Sequence, residues 1–331
     1  MTTLKILADR LGLSIATVSR VLNTRTSDLV SAATKERVLA LAAELGYRPN
    51  PAARALVTGR THTIGLLTFA MHPAFYSQVI QELHDLLARD RYRLAIVETP
   101  RQRASDADLA RIMAVAVDGL LAFDSPEMVR TLIRQGGDRV PVPMVGLGTA
   151  TTPEIDAVQV VNDAGATEIL DHWHRAGRRR VAYLGMATDR QWPQRRIYSA
   201  HRQAAGLPEI YLDVDSCSPA AQRDGARAAV LRHWRSAPRP DAVFAFNDEC
   251  AIGTLRALHD LGIDVPGQTA VAGCDGIAEG AYHQPPLATI QFPVHEVCRE
   301  AWRLLKARLN GKDAPPRSRV FTAKPVWRES A

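Results

Sequence analysis

The chain has 331 residues, 46% apolar and 23% charged, with a formal net charge of +6. That balance fits a soluble globular protein with room for two or three domains, and it excludes a disordered polyelectrolyte. No apolar run approaches the ~20 residues needed to span a bilayer, so no membrane partner is expected.

The opening "MTTLKILADR" lacks the apolar centre and cleavage site of a signal peptide, which makes the cytoplasm the expected compartment. Cys217, Cys250, Cys274 and Cys298 are scattered without a C-x-x-C, so neither a zinc site nor a disulfide framework is expected, and no cofactor is implied. The charge is uneven. Residues 1–60 carry nine Lys/Arg against four Asp/Glu, a net +5, which leaves +1 for the other 271 residues. A basic head on a near-neutral body suits a polyanion-binding module, although a solvated basic surface reads the same from charge alone.

In chain order, Thr3 can cap a helix in which Leu4, Leu7, Ala8 and Leu11 recur at helical spacing, and Gly12 stops it. Ser14 caps a second helix that runs to about Asn23. "NTRTSDLV" reads as a polar loop. Ser31 caps a third helix whose apolar face is assigned to Val38, Leu39, Leu41, Ala42 and Leu45, and Gly46 ends it. Two short helices around a tight glycine turn, closed by a third, predict a helix-turn-helix unit. "YRPNPAARALVTGRTHT" is a linker in which "PAARAL" has room for about two helical turns between breakers.

From residue 64 the pattern alternates. Strands are predicted at "TIGLLTF", "YRLAIVET", "VDGLLAF", "VPMVGLG" and "DAVQVVN", with a helix carrying Val79, Ile80, Leu83, Leu86 and Leu87 and others at 106–117 and at 126–136. The alternation restarts near residue 160. Helices fall at 163–176, 195–205, 222–236 and 249–261, and strands at "RVAYLG", "EIYLDV", "DAVFAFN" and "AVAGCD". Such alternation predicts parallel sheets covered on both faces, here as two similar α/β lobes. Ligands of such sheets sit at the carboxyl ends of strands, so the cleft between the lobes is the expected small-molecule site.

The second helix has an unusual composition. On a wheel of ~100° per residue, Val18, Val21 and Leu22 share one arc. Ile15, Ala16, Ser19 and Arg20 share another, and a buried helix would not choose that set. Small side chains permit close approach. Arg20 offers a planar fork for guanine, and Ile15 and Ala16 offer apolar contact to a thymine methyl. Ser14, Thr17 and Ser19 can hold phosphates near the helix N-terminus. For each residue alone, a cap or a solvated charge remains open.

"TLKILADRLGLSIATVSRVLN" and "VSAATKERVLALAAELGYRPNPAARAL" resemble the LacI/GalR family of bacterial transcription regulators. The order of "TIGLL", "VDGLLAF", "FNDECAIGTLRAL", "VPGQTAVAGCDGI" and "PPLATIQFPV" is similar to the same family. The resemblance implies a helix-turn-helix head at 1–48, a hinge helix and linker at 49–61, and an effector-binding and dimerisation domain at 62–331. That domain would be periplasmic-binding-protein-like, with an N-lobe at about 62–160 and 291–320 and a C-lobe at about 161–290 and 321–331. It further implies a repressor that acts as a homodimer on a near-palindromic operator in double-stranded DNA. Base reading would fall on Ile15, Ala16 and Arg20, and phosphate contact on Ser14, Thr17, Ser19 and Asn23. Leu56 would wedge into the minor groove, with Ala53 allowing close approach. The lack of leucine heptads after Trp327 favours a dimer over a tetramer. Where family members usually carry a polar residue, Ile6 stands here.

Carried over in the same way, the effector pocket falls on Phe75, Tyr76, Phe123, Arg196, Asn247 and Asp275, and its ligand would be a sugar or sugar derivative. Phe75 and Phe123 also read as core, and Asn247 as a helix cap. The chain departs from the family at three places. Gly148 replaces the usual acid, Val161-Asn162 replaces Asp-Asn, and "SCSPAAQRDG" lacks the usual aromatic, for which Trp192 is a substitute from a nearby loop. Loss of an acid together with a gain of aromatics points to a less hydroxyl-rich or anionic ligand.

Two rivals from other classes are a cytoplasmic α/β enzyme and a stand-alone small-molecule-binding protein. The sequence has no G-x-S-x-G, G-x-G-x-x-G or P-loop, so no catalytic residue is assigned. The basic head argues against the second rival.

Overall fold

The structure is a computed structural model that describes residues 2–22, 30–48, 55, 58–68, 73–98, 112, 114–135, 142–186, 192–215, 221–236, 238–311 and 314–331. The chain divides into two compact units, Met1–Thr61 and His62–Ala331.

In the first unit, α1 spans Leu4–Leu11, α2 Ile15–Leu22 and α3 Ala32–Glu44. Thr3 caps α1 by accepting from the Ile6 N–H, and Ser31 caps α3 by accepting from the Thr34 N–H. Gly12 ends α1 at φ 64°, a left-handed turn that glycine adopts without strain, and the chain re-enters a helix three residues later. The core is small: Leu7, Ala8, Val18, Val21, Val38 and Ala42. One expectation is corrected. Leu39 is 53% exposed, because the buried row of α3 runs through Val38 and Ala42, one turn apart, and Leu39 lies about 100° away.

The second unit begins with β1 (Thr63–Thr68), α4 (Pro73–Arg89), β2 (Arg93–Glu98), β3 (Gly119–Phe123), α5 (Pro126–Gln135), β4 (Met144–Gly148) and β5 (Asp156–Val161). Then follow α6 (Asp163–Arg175), β6 (Val181–Met186), α7 (Pro193–Ala204), β7 (Tyr211–Val214), α8 (Gln222–Ser236), β8 (Ala242–Ala245), α9 (Asp248–Asp260) and β9 (Ala270–Asp275). The chain closes with β10 (Ala288–Gln291), α10 (Val294–Leu309), β11 (Ser318–Thr322) and β12 (Lys324–Val326). Most of the helix expected at 106–117 lies outside the described residues; Ile112 is helical and 114–117 are not.

Two six-stranded sheets result, in the orders β11-β5-β4-β3-β1-β2 and β12-β10-β9-β8-β6-β7. Every pairing is parallel except β12 with β10. Central strands such as "GLLAF" and "MVGLG" are buried along their whole length, as expected of parallel sheets with helices on both faces. The chain passes between the sheets three times: after β5, between β10 and α10 (which packs on β3, β4 and β5), and between β11 and β12. Asn162, Phe292 and Ala323 stand at those three passages.

Candidate nucleic-acid interface and effector cleft

Helix α2 buries Val18 and Val21 against the head core and turns its other arc to solvent. Ile15, Ala16 and Arg20 are exposed, Ile15 by 49%, while Thr17 and Ser19 are half-buried. Ser14 Oγ accepts from the Thr17 N–H at 3.1 Å and lies 2.9 Å from Thr17 Oγ1, so Ser14 acts here as a helix cap. A bare isoleucine and an arginine beside small side chains form an edge able to lie close to a base stack. Ile6 is also exposed, by 42%. Asn23, Ala53 and Leu56 lie outside the described residues.

In the second unit a cleft of about 650 Å³, its open mouth included, lies between the two sheets. Its lining follows from the topology. Phe123 ends β3 and Asp124 follows it, Thr149 follows β4, Phe246 and Asn247 follow β8, and Cys274 and Asp275 end β9. These are carboxyl ends of strands, where open α/β sheets bind ligands. The first turns of α4 and α7 add Phe75, Tyr76, Trp192 and Gln194, and the three passages add Asn162, Phe292 and Ala323. Phe75, Phe123 and Phe292 pack edge to face or tilted with centroids 5.2–5.9 Å apart. Opposite them, Trp192 meets Phe246 edge to face at 5.5 Å.

The polar lining carries two carboxylates. Asp124 Oδ1 accepts from the Ala150 N–H at 2.7 Å and from Thr149 Oγ1 at 3.1 Å. Burial outweighs these bonds and pushes its carboxyl up to about 6. Asp275 sits at φ 126°, a backbone region nearly reserved for glycine. Burial raises its carboxyl too, reinforced by the negative charges of Asp248, Glu249 and Asp124. The neighbouring donors pass it by: the Gly276 and Ile277 N–H groups and the Thr289 hydroxyl all serve Asp248. Beside it, Asn162 and Gln194 direct their amide N–H groups toward Cys274 Sγ. Asn162 Oδ1 and Gln194 Oε1 are left buried without a donor.

Of the residues expected in the pocket, Phe75, Tyr76, Phe123, Trp192, Asn247 and Asp275 line this cleft. Asn247 is engaged at both ends: its Oδ1 caps α9 at the Cys250 N–H and its Nδ2 donates to Gln222 Oε1, both at 2.9 Å, which leaves its second N–H for a ligand. Arg196 is not among the lining residues. Helix α7 buries Gln194, Ile197 and Tyr198 and turns Arg196 outward, 3.8 Å from Asp163.

The acid expected to be missing is present. It is supplied one strand over, by Asp124. Residues 123 and 147 are register partners, so 124 and 148 lie side by side, and a Cβ on Gly148 would meet the Asp124 carboxylate. Glycine at 148 is what makes room for the acid at 124, so the departure at 148 does not leave the cleft without an acid there. No motif singles out Asp124. The one signal was an acid directly after "GLLAF" together with the glycine in place of the usual acid.

A family model described as bacterial regulatory proteins, lacI family, matches residues 3–50, and one described as a periplasmic binding protein-like domain matches residues 170–331. The HTH-type transcriptional repressor PurR of Vibrio atlanticus (strain LGP32) is 30% identical over 98% of this chain and 96% of its own length. The chain belongs to the LacI family of bacterial regulatory proteins. PurR of Vibrio vulnificus (strain CMCP6) is likewise 30% identical, with the same coverage. Among solved structures, the CelR–cellobiose complex, a transcriptional regulator, is 27% identical with a TM-score of 0.67, each chain covered in full. The Lac repressor dimer bound to operator and the anti-inducer ONPF is 22% identical with a TM-score of 0.81, over 99% and 98% of the two chains, a likeness of fold. As a LacI-family member the chain is a DNA-binding transcriptional regulator under small-molecule control, not an enzyme. Among its described residues no helix is long and apolar enough to cross a membrane.

Proposed function

We propose that this LacI-family regulator is a cytoplasmic repressor that binds a near-palindromic operator as a homodimer and is controlled by a carbohydrate-like effector held between its lobes. The domains would be the head at 1–48, a hinge at 49–61 and the effector-binding body at 62–331. Ile15, Ala16 and Arg20 read base edges, Ser14, Thr17, Ser19 and Asn23 hold phosphates, and Leu56 wedges at the operator centre with Ala53 close to it. Phe75, Tyr76, Phe123, Trp192, Asn247 and Asp275 form the effector site. Arg196 would join it only if the side chain swings inward from its outward position. The repressor assignment follows the PurR relatives, the dimer follows the Lac repressor complex, and the carbohydrate follows CelR with cellobiose.

The observation that carries the DNA reading is the exposed arc of Ile15, Ala16 and Arg20 on a helix whose opposite arc is buried. Effector binding changes the angle between the lobes and so the spacing of the two hinge segments. The coupling is reciprocal and typically worth ~1–3 kcal/mol. The test is enrichment of duplexes from a random pool by the full chain at moderate salt, with and without candidate small molecules. A single palindromic consensus, with affinity altered by one class of molecule, is expected. Equal retention of all sequences, whatever is added, sinks the proposal.

A further inference from the structure

The strained residue of the cleft is held from behind. Asp275 ends β9 at φ 126°, and Gly276 follows at φ 78°. A residue other than glycine keeps such a conformation only where its surroundings over-determine it. On one side the strands do so: Asp275 is the register partner of Gln291 in β10, and its carbonyl accepts from the Phe292 N–H at 3.2 Å. On the other side stands Asp248, in the first turn of α9 and fully buried. Its Oδ2 accepts from the Gly276 N–H at 2.8 Å and the Ile277 N–H at 2.9 Å, and its Oδ1 accepts from the Thr289 hydroxyl at 2.6 Å. Two consecutive N–H groups converging on one oxygen form a small anion cradle, and here a side chain of the protein itself fills it. Glycines let the parts approach. A Cβ on Gly273 would collide with Asp248 Oδ1, and a Cβ on Gly276 would lie 2.9 Å from the Gln291 Cα. All these groups belong to the described stretch 238–311. Asn247 and Asp275 line the cleft, whereas Asp248 is not among the described lining residues.

We infer that Asp248 is a positioning residue of the effector site: by gripping the Gly276 and Ile277 N–H groups it fixes the turn that presents the Asp275 side chain to the cleft, without touching the effector itself. The dipeptide at the start of α9 thus divides the work, Asn247 facing the cleft and Asp248 the turn behind Asp275. A purely structural acid would lower the stability of the body and leave the contribution of Asp275 to binding intact. The inference rests on the reading of this cleft as the effector site, and it adds to that site a residue from behind its wall.

The test has a structural arm and a binding arm, both on the full chain at pH 7.5. A crystal structure of Asp248→Ala is expected to show Asp275 out of its left-handed conformation and its carboxyl turned from the cleft, with α9 and β9 in place. Asp275 unmoved overturns the inference. The binding arm is isothermal titration with cellobiose, glucose and ribose, carrying forward each probe that binds the unaltered chain. Asp248→Ala is expected to weaken such a probe by roughly ten-fold or more. The double variant with Asp275→Ala should bind no worse than Asp275→Ala alone, because a positioning residue adds nothing once the side chain it positions is gone. Losses that multiply instead overturn the inference. Asp248→Asn should regain most of the affinity, since its carboxamide oxygen can accept from both N–H groups while its own N–H donates to the Thr289 hydroxyl. A loss as large as in Asp248→Ala overturns it too. Should Asp248→Ala fail to fold, Asp248→Ser, too short to reach both N–H groups, takes its place in both arms. If no probe binds the unaltered chain, the carbohydrate reading of the effector is lost and the structural arm alone decides on Asp248. If Asp275 turns away and probe affinity is unchanged, Asp275 leaves the effector site and the inference falls with it.

Discussion

One face of helix α2 joins a core of six buried residues, and on the other the candidate contacts Ile15, Ala16 and Arg20 stand in solvent within six positions of one another. The cleft is built the other way. Its lining runs from Phe75 to Ala323, drawn from strand ends, two helix starts and three passages between sheets, and Asn162, Gln194 and Asn247 in it are buried. A surface reader needs only local periodicity and a scaffold just large enough to fold. A buried binder needs the whole topology, and its polar groups lose water before any ligand arrives. The head should therefore fail by unfolding, and the cleft by changes in protonation and hydrogen bonding.

The sharpest way to break this contrast is a matched pair of truncations. Leu7 in the head and Leu66 in the body are both fully buried, and Leu→Ala at either should cost about 2–5 kcal/mol. In the head that loss consumes most of the stability a core of six residues can supply. Leu7→Ala should abolish operator binding while ligand titration on the body is unchanged. Leu66→Ala should lower the melting temperature of the body and leave it folded at 25 °C. Equal damage to ligand binding by both would mean that the units are not independent.

Protonation is the next lever. Burial raises Asp124 from an ordinary value of 3.8 to about 6. Between those values the folded body holds a proton that the unfolded chain has released, so stability falls as pH rises through that window. For this group the loss is at most about 3 kcal/mol. Urea midpoints of the body at pH 4 and pH 7 should differ in that direction, and Asp124→Asn should flatten the difference. A slope of opposite sign, or one untouched by the substitution, would place the titration elsewhere.

Smaller effects sharpen the head. Arg20→Ala should cost ~1–3 kcal/mol on the operator and relax preference at one base pair. An equal loss on random DNA would make Arg20 a phosphate contact. Ser14→Ala removes the bond from the Thr17 N–H and should destabilise the head by about 1 kcal/mol in a thermal melt. A melt unchanged in that variant, with affinity reduced on every sequence alike, would leave Ser14 a phosphate role only.

The head was legible because its information is local. Thr3, Gly12, Ser31 and the spacing of Leu7, Ala8, Val18 and Val21 announce helices and their buried face directly. Leu39 misled because an apolar residue adjacent to a buried row looks like part of it. In the body, the alternation up to β9 was readable from apolar runs and breakers. Strands β10, β11 and β12 were not, since "ATIQ", "SRVFT" and "KPV" are short and carry no strong period. Asp124 escaped notice because its role depends on a neighbouring strand, in which Gly148 leaves the room it fills. The outward turn of Arg196 is a matter of helix phase, about 100° per residue, which a motif match does not convey.

The three passages between the sheets each contribute a residue to the cleft lining: Asn162, Phe292 and Ala323. These segments are also the chain's three connections between the sheets, so the rotation proposed above turns about them. A molecule seated there bears directly on the pivot, where a small displacement swings the far edges of both sheets through a long arc. Leverage, rather than a relay of side chains, is then enough to carry the signal outward.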